Sequence, residues 1–140
     1  MLDNTDRRIL EELLQNGRMS MKELGQKIHM TGQATANRLL KLEEEGVIEG
    51  YTIRLNHAKA GNPVHTFINI YTKEFDHRPF LSFIETQRSY LVNNFKISGE
   101  GCYLLEYRFP SNEELDLFLT ELNKYVNYKL SIVINKNNLT

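Results

Sequence analysis

Apolar residues recur at helical spacing in the first part of the chain, where leucine, isoleucine and methionine return every three or four positions over residues 1–46. This periodicity predicts three amphipathic helices. Asp3, Ser20 and Thr31 precede the three apolar stripes and carry side chains that N-caps use, so each is predicted to begin a helix. The third helix, predicted over residues 32–45, has a length of about 21 Å at 1.5 Å per residue.

Two glycines and an alternating segment mark the end of this helical part. Gly17 and Gly46 follow the first and third stripes, where a residue in the left-handed conformation often ends a helix. Residues 47–55 are predicted to be extended, since apolar and polar positions alternate there. The packing residues expected in this segment are Val47, Tyr51 and Ile53.

The composition changes at a short segment rich in turn-forming residues. Residues 56–63 contain asparagine, glycine and proline, which are typical of turns and linkers. We therefore expect two domains, a helical one over residues 1–62 and a second over residues 63–140. The polar tail, residues 135–140, is expected to be frayed.

The second domain alternates between strand and helix patterns in the order β-α-β-β-α-β. The predicted strands are residues 64–72, 91–98, 102–109 and 128–135, and the predicted helices are residues 79–87 and 112–125. This order predicts a ferredoxin-like domain, in which four antiparallel strands carry both helices on one face. The whole chain is therefore predicted to be an α+β protein, with a helical N-terminal domain followed by a ferredoxin-like βαββαβ domain.

Such a sheet leaves its second face without a covering layer. Two helices are too few to bury all the large apolar and aromatic strand residues, which are Phe67, Tyr71, Phe95, Tyr103, Tyr107 and Ile132. Because exposed apolar faces of this size are usually covered in an oligomer, a homodimer is expected.

The second and third helices are joined by residues 29–32 and form a candidate helix-turn-helix. The non-core positions at the start of the third helix suit contact with DNA, and with a neighbouring lysine they form a candidate site: Lys22, Thr31, Gly32, Gln33, Ala34, Asn37, Arg38 and Lys41. Gln33 and Asn37 can bond adenine bidentately, whereas Arg38 can bond guanine or a phosphate. Ala34 can touch a thymine methyl, and the lysines suit phosphate. The alternative is the ordinary solvated face of an amphipathic helix.

Net charge excludes one class of nucleic-acid binder. The chain has 17 Lys+Arg against 18 Asp+Glu, a formal net charge of -1, which does not fit a protein that binds through overall basicity. Resolved by position, residues 18–41 are locally basic, because five basic residues stand there against Glu23 alone. A local DNA-facing patch therefore remains compatible with the balanced total.

Other chemistry finds little support in the sequence. The four histidines show no zinc-ligand spacing, and no catalytic signature appears, so neither a metal nor an enzyme is expected. The single cysteine, Cys102, excludes an internal disulfide and fits a reducing cytoplasm. No secretory signal and no apolar run of about 18 residues is present, so we expect a cytoplasmic protein without a membrane span.

Residues 2–55 resemble the winged helix-turn-helix of the Lrp/AsnC (feast/famine) transcriptional regulators. The matching pieces include Leu2-Asp3 with Asp6, Glu23-Leu24, Arg38, Leu42-Glu43, Gly46-Val47-Ile48 and Gly50-Tyr51. The resemblance continues through Ala60-Gly61 into the βαββαβ half. It implies a DNA-binding regulator that forms homodimers through the sheet domain, often assembles further into octamers, and commonly binds an amino acid or similar effector between subunits.

One loop departs from that family. Its members typically have Gly-Asp-x-Asp between the second and third strands, whereas this chain has the candidate effector residues Ser98, Gly99, Glu100, Gly101 and Cys102. Glu100 keeps one acid, but the thiol of Cys102 cannot supply the second negative charge to an ammonium group. Two alternatives follow: the ligand differs from that of the family, or the segment is a plain hairpin turn in which glycine permits positive φ.

Two other functions are open. One is an architectural, nucleoid-like DNA-binding protein with weak sequence preference. The other is a sirohaem-decarboxylase-like enzyme, since those enzymes resemble the same two-domain arrangement. The enzyme would need a tetrapyrrole pocket with basic and histidine residues, for which the second domain offers only His65, His77 and dispersed Arg or Lys.

Overall fold

The structure is a computed structural model that describes residues 1–137. The chain divides into two compact units, Met1–Arg54 and the residues from Leu55 onward. The boundary in the structure, after Arg54, precedes the one predicted after residue 62, because the turn over residues 56–62 falls in the second unit. This turn is closed locally, since Ala60 N donates to Asn56 O over 3.0 Å. The end of the predicted tail, residues 138–140, lies outside the described residues.

Three helices form the first unit: α1 (Asn4–Gln15), α2 (Met21–Ile28) and α3 (Gly32–Glu44). All three predicted N-caps are confirmed. Asp3 Oδ1 accepts from Asp6 N over 2.8 Å, Ser20 Oγ from Glu23 N over 3.1 Å, and Thr31 Oγ1 from Ala34 N over 3.1 Å. The helices enclose a core of Ile9, Met19, Leu24, Ile28 and Leu42.

Of the two glycines predicted to end helices, only the one after α3 does so. Gly46 has a φ of 75° and follows α3, as predicted. Gly17 does not end α1, because that helix stops at Gln15 and its C-cap, Asn16, is extended. Asn16 instead shapes the turn through its side chain, whose Oδ1 accepts from Arg18 N over 3.1 Å.

The segment after α3 contradicts the packing predicted for it. Within residues 47–63, all of which the structure describes, no strand forms. Ile48 is partly buried against the helical core, but Val47, Tyr51 and Ile53 are exposed. Because the three helices already close their core, these side chains find no second layer within the first unit.

A four-stranded antiparallel sheet and two helices form the second unit. Its elements are β1 (Val64–Thr72), α4 (Arg78–Thr86), β2 (Leu91–Lys96), β3 (Tyr103–Phe109), α5 (Asn112–Leu122) and β4 (Val126–Ile132). The strand order is β2-β3-β1-β4, which is the predicted ferredoxin-like arrangement. The last helix begins at residue 112 as predicted but ends earlier, and the last strand begins earlier than predicted, at Val126, which is fully buried and pairs with Thr72 of β1.

The two faces of the sheet differ from the prediction in one respect. Tyr103 and Tyr107 are buried in the same core as α4 and α5, so they do not belong to the open face. Ile132 pairs with buried Thr66 and is exposed only because β4 is an edge strand. By strand alternation, the open face carries Phe67 and Tyr71 of β1, Phe95 of β2, and Leu104, Glu106 and Arg108 of β3.

Candidate functional site

The connection between α2 and α3 depends on two residues that the sequence did not single out. His29 has a φ of 59° and ends α2 in the left-handed conformation. Gly25 packs so closely that a Cβ there would lie 2.6 Å from Met30 O and 3.1 Å from Thr35 Oγ1. Thr35 is buried, and its hydroxyl donates to Thr31 O over 2.8 Å. The sequence carried one signal of this close packing: a glycine inside an amphipathic helix costs about 1 kcal/mol of helix propensity, so its presence indicates a packing reason.

The outward face of α3 carries two aligned amide side chains. Gln33 and Asn37 are one helical turn apart and exposed, and Gln33 Nε2 donates to Asn37 Oδ1 over 3.2 Å. Leu40 continues the same stripe at the next turn and is 54% exposed. Leu40 was missed because a leucine at helical spacing usually belongs to a core. The resulting stripe of two amides and one apolar side chain suits base edges and a thymine methyl group.

Most of the remaining predicted contact residues lie at the N-terminus of α3. The hydroxyl oxygen of Thr31 accepts the capping hydrogen bond from Ala34 N, and Ala34 is half-buried. Gly32 lies against α2, since a Cβ there would be 3.7 Å from Lys22 N. The first turns of α2 and α3 are therefore neighbours, and together they present free backbone N–H groups. Lys22 is exposed beside these groups, whereas Lys41 is exposed in the last turn of α3. Both ammonium groups are suited to phosphates.

Arg38 is placed differently from the rest of the predicted set. Its Nη1 donates to Asp3 Oδ2 over 2.5 Å and to Asp6 Oδ1 over 3.2 Å. The guanidinium holds the pKa of Asp3 down, from an ordinary 3.8 to about 2. The structure therefore joins Arg38 to the start of α1, while the amides of Gln33 and Asn37 point away from the core.

The candidate effector loop is a tight hairpin that folds onto β1. Gly99 and Gly101 have φ values of 138° and 97°, the positive region expected for glycines in such a turn. A Cβ on Gly101 would lie 2.6 Å from Ile70 O, and Cys102 N donates to the same oxygen over 2.7 Å. Position 101 therefore requires glycine both for its φ and for its contact with β1.

Side chains of two strands, β1 and β4, contact the acid of this loop. Glu100 Oε1 accepts from Tyr71 OH over 2.6 Å and from Lys129 Nζ over 3.0 Å, while Glu100 O accepts from Asn69 Nδ2 over 2.8 Å. These bonds lower the pKa of Glu100 and raise that of Tyr71. Cys102 Sγ lies 3.4 Å from the Thr72 hydroxyl, which lowers the pKa of the thiol. Ser98 is exposed.

Comparison with known proteins gives this geometry its context. Residues 2–49 match the family model described as winged helix-turn-helix DNA-binding. The chain is 54% identical over 136 residues to the HTH-type transcriptional regulator LrpA of Bacillus subtilis (strain 168), covering 97% of this chain and 100% of that one. The chain belongs to the Lrp/AsnC family of transcriptional regulators.

Solved structures of Lrp/AsnC regulators have the same fold along nearly their whole length. The structure of B. subtilis LrpC covers 100% of this chain and 99% of that chain, with a TM-score of 0.91 and 29% identity. The complex of the Neisseria meningitidis regulator NMB0573 with L-methionine covers 100% and 94%, with a TM-score of 0.89 and 25% identity. The predicted family, α+β fold and function as a DNA-binding transcriptional regulator are confirmed.

Two further features of this Lrp/AsnC chain concern membranes and metal ions. Over residues 1–137, no helix is both long enough and apolar enough to cross a membrane. In that described part of the chain, no group of three or more His, Cys, Asp or Glu side chains is arranged to hold a metal ion.

Proposed function

We propose that the chain regulates transcription by reading specific DNA sequences through the outward face of α3. The observation that carries this proposal is the exposed, hydrogen-bonded pair Gln33 and Asn37 on the second helix of a helix-turn-helix. Each amide can accept from and donate to the N6 and N7 edge of an adenine in the major groove. A helix of 13 residues is about 20 Å long, which is enough for several base pairs to be reached.

Phosphate contacts would hold this helix in register. The exposed ammonium groups of Lys22 and Lys41 and the free N–H groups of Gly32 and Gln33 are suited to neighbouring phosphates. Ala34 allows close approach because its side chain is a single methyl. With few cations per subunit, one subunit binds weakly, and tight binding depends on several subunits engaging DNA together.

A homodimer through the open face of the sheet supplies that multivalency. On this face His65 Nε2 lies 2.6 Å from Glu106 Oε2, and both side chains are mostly buried. Among the described residues, Arg108 Nε is buried without a hydrogen-bond partner. Because a buried donor without a partner costs about 1–3 kcal/mol, a covering second copy that offers an acceptor is favoured. Further assembly of dimers, up to an octamer, would present more α3 helices to DNA.

An amino-acid effector is proposed for residues 98–102. NMB0573 is described in complex with L-methionine, which supports an amino acid as the first ligand to test. In this chain an ammonium group would meet the carboxylate of Glu100, in exchange for Lys129, while Cys102 adds no second charge. The ligand would change which oligomer forms, and thereby which DNA sites are bound together. Its place of action is the cytoplasm.

The test is selection of bound duplexes from a random DNA library, repeated with and without a mixture of amino acids that includes L-methionine. We expect enrichment of a palindrome of about 15 base pairs, since two recognition helices contact half-sites about one helical turn apart. Absence of any enriched sequence would contradict sequence-specific reading and favour an architectural protein. An unchanged selection and an unchanged oligomer on light scattering with amino acids would contradict the effector.

A further inference from the structure

Arg38 lies at the margin of the buried face of α3 and not on the outward stripe of Gln33 and Asn37. It is three residues after Thr35 and four before Leu42, and both of these side chains are buried. Residues at those spacings share one face of a helix. The Arg38 side chain is 35% exposed, and its partner Asp6 is 17% exposed. Its location is therefore that of a residue between two packed helices.

The two carboxylates that hold Arg38 also build the start of α1. Asp3 uses Oδ1 to accept from Asp6 N and Oδ2 to accept from Arg38 Nη1. Asp6 uses Oδ2 to accept from Asp3 N over 3.3 Å and Oδ1 to accept from Arg38 Nη1. Each acid therefore gives one oxygen to the capping box and one to the guanidinium. The capping box therefore orients both carboxylates through bonds that do not involve Arg38.

Charge opposes a direct contact between Arg38 and DNA. One guanidinium with two carboxylates carries a net charge of about -1, so this trio offers a phosphate no net attraction. Moving Arg38 to a base or a phosphate would leave Asp3 and Asp6 without their cation beside polyanionic DNA. Lys22 and Lys41 are both exposed, and Lys41 has only a long surface pair, over 3.9 Å to Glu45 Oε1, to give up for a phosphate.

We propose that Arg38 is a positioning residue, which ties the recognition helix α3 to the first turn of α1 through Asp3 and Asp6 and does not contact DNA. The proposal rests on the proposed reading of DNA by α3. Its effect on binding is geometric, since bidentate hydrogen bonds to a base tolerate only a few tenths of an ångström. A small rotation of α3 would carry Gln33 and Asn37 out of reach of their base edges.

Three sets of variants separate positioning from contact. Arg38→Ala removes the cation. The double variant Asp3→Asn with Asp6→Asn removes the two acids but keeps an oxygen for each capping bond, because asparagine is a good N-cap. Lys41→Ala is the comparison for a phosphate contact. Binding is measured by fluorescence anisotropy on the duplex that the wild-type chain selects, over a series of KCl concentrations.

We expect Arg38→Ala and the Asp3/Asp6 double variant to weaken binding by a similar factor, about tenfold or more. The triple variant, which combines Arg38→Ala with Asp3→Asn and Asp6→Asn, should bind no more weakly than Arg38→Ala. The slope of log affinity against log salt should stay that of the wild-type chain in Arg38→Ala and fall by about one unit in Lys41→Ala. Arg38→Lys, which keeps a cation for both carboxylates, should recover most of the affinity even if Arg38→Ala folds poorly.

The proposal is overturned if Arg38→Ala lowers the salt slope by about one unit while the Asp3/Asp6 double variant binds as tightly as the wild-type chain or more tightly. Failure of the proposed function is a separate outcome, in which the wild-type chain selects no sequence. The same slopes are then measured on one fixed mixed-sequence duplex. An NMR titration of Asp3, whose pKa should rise from about 2 in Arg38→Ala, tests the contact itself in either case.

Discussion

The recognition helix and the β2–β3 loop each contain a charged residue that the sequence assigns to a ligand and the fold has already bonded within the chain. Arg38 is held by Asp3 and Asp6, and Glu100 by Tyr71 and Lys129. The two arrangements differ in burial. Arg38 and Asp6 are 35% and 17% exposed and Asp3 is 54% exposed, whereas Glu100 and Lys129 are 64% and 70% exposed.

This difference decides which residue is free to exchange its partner. An exposed ion pair is screened by water and salt and contributes little to stability, so a ligand can replace one of its members. If the half-buried guanidinium of Arg38 left, the mostly buried carboxylate of Asp6 would lose its cation. Glu100 is therefore available to a ligand although it is paired, and Arg38 is not.

The largest losses of stability are expected from substituting the most closely packed glycine of each region. Gly101→Ala should destabilise the second unit by about 2–4 kcal/mol, because it adds backbone strain to a clash with Ile70 O. Gly99→Ala is the matched control, with a positive φ but no atom within 4 Å. Tyrosine fluorescence during urea unfolding reports this unit, since every tyrosine except Tyr51 follows residue 54. Equal losses at both glycines would contradict the contact with β1.

Gly25→Ala tests the equivalent close approach in the helix-turn-helix. Alanine normally favours a helix over glycine by about 1 kcal/mol, so a loss of about 1–3 kcal/mol would identify the clash with Met30 O as the cause. Circular dichroism during urea unfolding measures this loss. Gly50→Ala has open space around its Cβ and should leave stability near that of the wild-type chain. A stabilised Gly25→Ala chain would contradict the packing of α2 against the turn.

Asn37→Ala should weaken binding to the selected duplex by about 1–3 kcal/mol and relax the preference at one base position, because its amide is proposed to read a base. The slope of log affinity against log salt should not change. Asn135→Ala, which removes an exposed amide from the second unit, is the matched control and should bind normally. Equal weakening of Asn37→Ala on all sequences would remove Asn37 from base reading.

Local interactions account for the parts of the fold that the sequence predicted. The caps at Asp3, Ser20 and Thr31 join residues three apart, so the pattern of a few neighbouring residues determines them. The open face of the sheet was readable too, although incompletely. Glu106 and Arg108 alternate with Tyr103 and Tyr107, which marks the two tyrosines as belonging to the buried face.

Contacts between distant residues account for what the sequence did not reveal. The partners of Arg38 lie more than 30 residues away, and those of Glu100 lie 29 residues away. A sequence shows that such residues are charged but not which opposite charge the fold places beside them. The predicted helix and loop that carry the two candidate sites are both present, while the bonding of their charged residues within the chain was not predictable.

The pH dependence of stability tests the contact between Arg38 and Asp3. The pKa of Asp3 is lowered from 3.8 to about 2, so its contribution is present above pH 4 and is lost as the pH falls through that interval. In Arg38→Ala this pKa returns toward 3.8, and stability should fall less steeply between pH 4 and pH 2. Urea unfolding midpoints at pH 5, 4, 3 and 2.5 measure the difference. Parallel curves for the two chains would contradict the contact.

The smallest loss of stability is expected from a change at Glu100. Glu100 is free to exchange Lys129 for a ligand only if that loss is small. Glu100→Gln should leave the urea midpoint near that of the wild-type chain, since both members of the pair with Lys129 are mostly exposed. It should lower the pKa of Tyr71 back toward 10, because the carboxylate is what raises it. Absorbance titration at about 295 nm detects the change against Tyr71→Phe. A large loss of stability in Glu100→Gln would mean that the carboxylate is structural, and then neither charged residue would be free for a ligand.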